Sequence, residues 1–169
     1  MTNERKQEFT LRITQANKSE TVVILYDMFQ AYLEDAGLAA GKNADSADPS
    51  DVRAAMDEAA FHKAIRQARA VLSELIESLH MEYEIAQNQY RIYRYVERLL
   101  IRADVRLDVI PLKEASRFMK KLGEAYKTVS KEDTSPAIME NTDAVYAGMT
   151  YGKTELHESN TVTNRGFLA

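Results

Sequence analysis

The sequence predicts an all-α protein: an antiparallel four-helix bundle with an extended N-terminal arm in front and a poorly structured C-terminal tail behind. Three observations carry this. Apolar residues recur at three- and four-residue spacing in four long stretches, the pattern of helices that bury one face. Six glycines and three prolines in 169 residues leave little punctuation, so the elements are few and long. Capping residues stand where three of the four stretches begin. The organisation expected is an arm over 1–15, a bundle domain over 16–132 and a tail over 133–169.

Residues 1–15 are polar, with Phe9, Leu11 and Ile13 spaced by two, which reads as extended chain. Asn17 with Glu20 three residues on is a capping-box start. The helix it opens runs to Gly37 or Gly41, either of which can supply a left-handed end. Within it Val22, Leu25, Tyr26, Phe29, Tyr32, Leu33 and Ala36 form the core stripe, while Val23, Ile24 and Met28 fall outside that stripe. A helix with apolar surface beyond its core stripe needs a second cover, from its own chain or from a partner.

Residues 41–50 are small and polar and read as a loop, after which Asp48-Pro49 starts a second helix. Its core face holds Phe61, Ala64, Ile65, Ala68, Val71, Leu72, Leu75 and Leu79. No glycine or proline separates it from the third, yet one helix over 51–103 would be about 80 Å long at roughly 1.5 Å per residue. A break near His80 to Tyr83 follows from length alone. The third helix turns Ile85, Ile92, Val96, Leu99, Leu100 and Ala103 to the core, and a second stripe of Tyr83, Ala86, Tyr90 and Tyr93 lies beside it. Asp108 with Pro111 starts the fourth, whose apolar face is Ala115, Phe118, Met119, Leu122, Ala125, Tyr126 and Val129. After Ser135-Pro136 the periodicity is lost, although Tyr146, Met149, Tyr151, Phe167 and Leu168 point to a tail that docks on the bundle or on a partner.

With no cysteine there is no disulfide framework and no thiolate chemistry, which fits a reducing cytoplasm. A formal charge of −4 argues against bulk nucleic-acid binding. No stretch has the length of a membrane span, and the polar start lacks the apolar run of a secretory signal.

Candidate chemistry is sparse. Glu77 and His80 form a Glu-x-x-His pair of the kind found in ferritin-like metal bundles, but the other faces supply no second pair, and a solvated helix end is the better reading. His62 resembles the exposed histidine of a phosphotransfer bundle, yet Ile65, Arg66 and Gln67 crowd the approach a partner needs. No cofactor, metal or catalytic residue is expected. Arg91, Arg94, Arg98 and Arg102 form a basic stripe on the third helix, read either as a solvated face or as a contact for an acidic or carboxyl-terminated partner. The double stripes on the first and third helices point to a groove that receives an amphipathic segment of another chain.

Several separated blocks resemble the FliS family of flagellin-specific export chaperones. On the first helix the run Val22 to Ile24 precedes Leu25-Tyr26-Asp27, and Ala16 stands in the family's opening segment. The second offers Ala68, Val71-Leu72, Glu74-Leu75 and Ser78-Leu79. The third offers Ile85, Ala86, Asn88, Tyr93, Tyr95, Arg98, Leu100, Ala103, Asp104 and Asp108. The resemblance covers about Ile13 to Val129. It departs at Asn17-Lys18 for Ser-Pro, at Glu8 for a tyrosine that Phe9 could replace, at Arg94 for an aspartate and at Tyr126 for a tryptophan.

The resemblance implies a cytoplasmic helical-bundle chaperone that covers the C-terminal segment of flagellin, prevents premature polymerisation and keeps the subunit competent for flagellar type III secretion. The flagellar export gate and a co-chaperone are further partners it implies, with no nucleic acid and no membrane insertion. Together with the surplus on the first helix, it makes Val23, Ile24, Tyr26, Ile85, Asn88, Tyr90, Tyr93 and Arg98 the expected client-groove residues. Phe9 to Ile13, or the tail around Tyr146 to Tyr151, would occupy that groove while the client is absent.

Overall fold

The computed structural model describes residues 1–41 and 56–139, and the description below is confined to them. They form helices α1 (Asn3–Gln15), α2 (Lys18–Ala39), α3 (Glu58–Glu77), α4 (Glu84–Arg106) and α5 (Ile110–Ser130). Helices α2 to α5 are the four expected bundle helices. Helix α2 packs against α3 and α5, and α4 packs against the same two, so α2 and α4 sit diagonally across the bundle. Helix α1 lies outside, against α2.

Local chemistry accounts for most boundaries. Asn17 caps α2 through the backbone N–H of Glu20 at 2.8 Å, and the Glu20 carboxylate accepts the N–H of Asn17 at 3.0 Å, so the expected capping box forms. Gly41 has φ 82°, a conformation in which a side chain would be strained, and it turns the chain out of α2. Helix α3 is capped by Asp57, and the expected start at Asp48-Pro49 lies outside the described residues. The break inferred between the second and third helices falls at residues 78–83. Leu107, at φ 55°, ends α4; Asp108 accepts the N–H of Ile110 at 2.9 Å, and Pro111 sits in the first turn of α5.

The extended arm is corrected: residues Asn3–Gln15 are helical. Spacing by two over only three apolar residues cannot distinguish the two periods, and an extended arm beside helices would leave its backbone N–H groups without a ladder. Thr2 instead caps a helix, and Phe9 and Ile13, four apart, turn to the same side.

The bundle centre is closed by Phe29, Phe61, Ile65, Leu72, Leu75, Val96, Leu100 and Met119, all 1% exposed or less. Ile85 departs from its expected core position. It is 77% exposed in the first turn of α4, and Met81 and Tyr83 just before it are exposed too. Residues 131–139 turn back across the start of α2. There the Asn17 amide donates to the carbonyls of Asp133 (3.1 Å) and Ser135 (3.4 Å), Ser19 donates to the Asp133 carboxylate, and Ile138 N–H reaches the Ala16 carbonyl at 3.0 Å. The tail beyond 139, with Tyr146 to Tyr151, lies outside the described residues.

Candidate functional site

Part of the surplus apolar surface of α2, Ile24 and Met28, is covered by α1. Ile24 and Ala31 form a cluster with Phe9 and Ala16, and Ile13 and Met28 pack at its border. Ile24 is 3% exposed, Phe9 5% and Val23 7%. Full burial of one such aliphatic or aromatic side chain contributes roughly 1.5–3 kcal/mol.

Around that apolar seam α1 and α2 exchange charges. Arg12 meets Asp27 at 2.8 Å, Arg5 meets Glu34 at 2.9 Å, and the N-terminal ammonium meets Asp35. Asp27 also receives Lys127 of α5 at 2.8 Å on its other oxygen. Burial raises the Asp27 pKa, but Lys127 and Arg12 together outweigh it and hold the carboxyl below its ordinary value. Each exposed pair contributes up to about 1 kcal/mol and weakens with salt.

A second constellation lies in the bundle interior. The Tyr26 and Tyr93 hydroxyls are 2.5 Å apart, Gln89 donates to both at 3.0 and 2.8 Å, and Tyr126 donates to the Gln89 carbonyl at 3.0 Å. The four side chains tie α2, α4 and α5 together and saturate the buried amide. Burial pushes the Tyr26 hydroxyl up to about 12 and also raises Tyr93. Gly123 lets α5 approach here, since a Cβ on it would stand 3.1 Å from the Tyr26 Cβ. An open cleft of about 680 Å³ runs beside it between α2 and α5, lined among others by Leu33, Gly37, Met119 and Gly123.

The eight residues expected to line one groove are distributed over three environments. Val23 and Ile24 lie buried on α2. Tyr26 and Tyr93, 2% and 1% exposed, are core residues that support the bundle. On α4, Ile85 and Asn88 are exposed near its start, Asn88 accepting from Arg91 at 3.2 Å, and Tyr90 is half-buried. Arg98 is exposed, stacked over the Tyr95 ring at 5.7 Å, on the helix diagonal to α2. Sequence reasoning missed Gln89, a polar residue inside an apolar stripe, and Gly123, a glycine within a helical pattern. Both departures were visible signals of close packing.

The other candidate chemistry is local. Glu77 is the last residue of α3 and His80 sits in the turn after it, so the pair is not carried on one helix. His62 Nδ1 is 2.7 Å from the Asp104 carboxylate, an α3–α4 link at the surface.

Against this geometry, the sequence profile described as flagellar protein FliS matches residues 1–133. The chain belongs to the FliS family. The match takes in α1 and all four bundle helices, so α1 is inside the family's own span. FliS is a family of flagellar export chaperones, with no catalytic role attached to it. No individual curated protein matches this FliS-family chain. Among the described residues no helix is long and apolar enough to cross a membrane.

Proposed function

We propose that this chain is a cytoplasmic export chaperone for flagellin, and that its client site is the α2 face now covered by α1. The single observation that carries the reading is the match between an over-apolar helix and a detachable cover. Ile24 and Met28 carry apolar surface of α2 onto the side where Phe9 and Ile13 of α1 pack, and in the chain α1 is connected to α2 by Ala16 and Asn17 alone. An amphipathic piece of the flagellin C-terminal segment takes the place of α1 and meets the same apolar seam, so apolar contacts are exchanged rather than created. Such an exchange requires neither nucleotide nor metal. Client covered in this way does not polymerise and remains competent for the type III export gate, with or without a co-chaperone.

Tyr26 and Tyr93 hold the frame that presents this face, while Ile85, Asn88 and Tyr90 lie on α4, diagonal to α2 and apart from it. The test is calorimetric titration of a flagellin C-terminal peptide into the full chain and into a chain lacking residues 1–15. The expected result is binding by both, tighter by about tenfold without α1, the equivalent of roughly 1.4 kcal/mol of competition removed. Absence of binding by both overturns the client assignment. Equal affinities leave the client assignment standing and remove α1 as its competitor.

A further inference from the structure

The outward side of α4 differs from every other surface described above. Arg91, Arg94, Arg98 and Arg102 follow one another at spacings of three, four and four residues, and Ile101 and Val105 run beside them, 41% and 75% exposed. Arg94 is paired with Glu97 and Arg91 bonds Asn88. Arg98 and Arg102 have no carboxylate partner among the described residues. The Arg98 guanidinium lies over the face of Tyr95, 5.7 Å from the ring centre, and the Tyr95 hydroxyl donates to Glu114 at 2.7 Å while its ring meets Phe118 edge-on at 5.6 Å. A guanidinium resting on a ring whose own hydroxyl is fixed loses less freedom on pairing with a carboxylate than one free in solvent.

The surrounding charge is also local. Helices α4 and α5 carry ten basic and five acidic side chains in a chain whose net charge is −4. A basic row beside an exposed aliphatic row is the complement of an amphipathic helix with acidic residues along one edge of its apolar stripe. We propose that this face of α4 docks an acidic amphipathic helix of a second protein. Nucleic acid fits it less well, because the side chains interleaved with the arginines are aliphatic and Tyr95 is turned into the α5 contact instead of being free to stack on bases.

Position adds a consequence. Helix α4 is diagonal to α2, and α1 lies against α2, so a helix docked on the outward side of α4 leaves α1 and its seam untouched. Both faces can be filled at once. A carrier that must be recognised while loaded needs such an arrangement, and the proposal stands whether or not flagellin is the client.

The experiment uses the full chain and a fluorescein-labelled designed helical peptide with a leucine stripe edged by glutamates, alongside the same peptide with glutamines. Fluorescence anisotropy is expected to give micromolar binding of the acidic peptide, weakened at least several-fold between about 50 and about 300 mM salt. Arg102→Glu should weaken it by about tenfold and Val105→Ser by about threefold, with circular dichroism unchanged. A photoreactive version of the peptide should cross-link to α4, a readout that needs no variant. Equal binding of the glutamine peptide, indifference to Arg102→Glu, cross-linking elsewhere, or displacement of the peptide by a single-stranded RNA oligonucleotide would each overturn the proposal. Failure here leaves the flagellin titration with the 1–15 deletion unaffected, so the two readings fail separately.

Discussion

Arg12 of α1 and Asp27 of α2 are joined at 2.8 Å, and the second oxygen of the same carboxylate takes Lys127 of α5 at 2.8 Å. Asp27 is thus the point at which the cover, the covered helix and the bundle meet. Asp27→Asn keeps the shape and removes the charge, so it should loosen α1 without unpacking the core. Hydrogen exchange of the α1 amides should quicken by about fivefold, the equivalent of about 1 kcal/mol. Exchange unchanged in α1 would show that the apolar seam alone holds it.

Acid should act on the same carboxylate. The Asp27 pKa is depressed in the folded chain, so its contribution is present above the ordinary carboxylate value and is lost as pH falls through the lower folded one. Asp133, held at about 2 by Ser135 and Ser19, behaves alike at the strap across the start of α2. The α1 amides are therefore expected to lose protection below about pH 4, before the bundle amides do. Simultaneous loss everywhere would count against a separately held α1.

Phe9→Ala tests the apolar half of the same contact. Phe9 is 5% exposed between Ile13, Ala16 and Ile24, and truncating such a ring costs about 3 kcal/mol or more in a fixed core. On the proposed detachable α1, the expected result is release of α1, increased binding of an apolar dye and tighter binding of the flagellin peptide, with the main melting transition little changed.

At Gly123 two effects oppose each other. Alanine gains about 1 kcal/mol of helix propensity. Its Cβ would sit 3.1 Å from the Tyr26 Cβ and 3.3 Å from its Cγ, atoms fixed close to the α2 backbone, and overpacking of this kind costs about 1–3 kcal/mol. Gly123→Ala should therefore lower the melting temperature slightly and Gly123→Val strongly. Stabilisation by alanine would mean that α5 can move away from α2 freely.

The buried tyrosines predict alkaline instability. Their folded pKa values are raised, Tyr26 to about 12, so the stability they contribute is intact below the ordinary tyrosine value near 10 and lost as pH climbs through the folded one. Ultraviolet titration should show a tyrosine fraction that ionises only with loss of the helical signal. Tyr93→Phe, which leaves a Gln89 proton and the Tyr26 hydroxyl short of a partner, should cost about 1–3 kcal/mol and narrow that fraction.

The bundle was legible because its helices are long and bury one face. Phe61, Ile65, Leu72 and Leu75 reveal the period of α3 without help from any neighbour, and the Asn17–Glu20 box marks the start of α2 to the residue. Helix α1 was not legible. Its thirteen residues turn only Phe9 and Ile13 and a few polar neighbours to α2, too few for a period to declare itself, and its helicity depends on the surface it rests on. The candidate site was legible in one respect: Val23, Ile24 and Met28 announced a surface in need of a cover. Which tyrosines face solvent was not, since Tyr90 and Tyr93 share one stripe and only Tyr93 meets the Tyr26 hydroxyl and Gln89 inside the bundle.

The strap of residues 133–138 gives the cover a geometry of motion. It fastens Ala16 and Asn17, the two residues between α1 and α2, so the base of α1 is anchored while its far end is held by the Arg5–Glu34 pair and by Met1, which packs on both apolar clusters with its ammonium on Asp35. In the proposed exchange a rod of thirteen residues, about 20 Å long at roughly 1.5 Å per residue, would swing from that anchor like a door from its jamb. Under the proposed exchange, opening would start at Met1 and Arg5 and end at Arg12, so an incoming segment would first gain the α2 surface near Glu34 and Asp35 and advance toward Asp27. The chaperone would then load its cargo in one direction, from the α1 tip to the pivot.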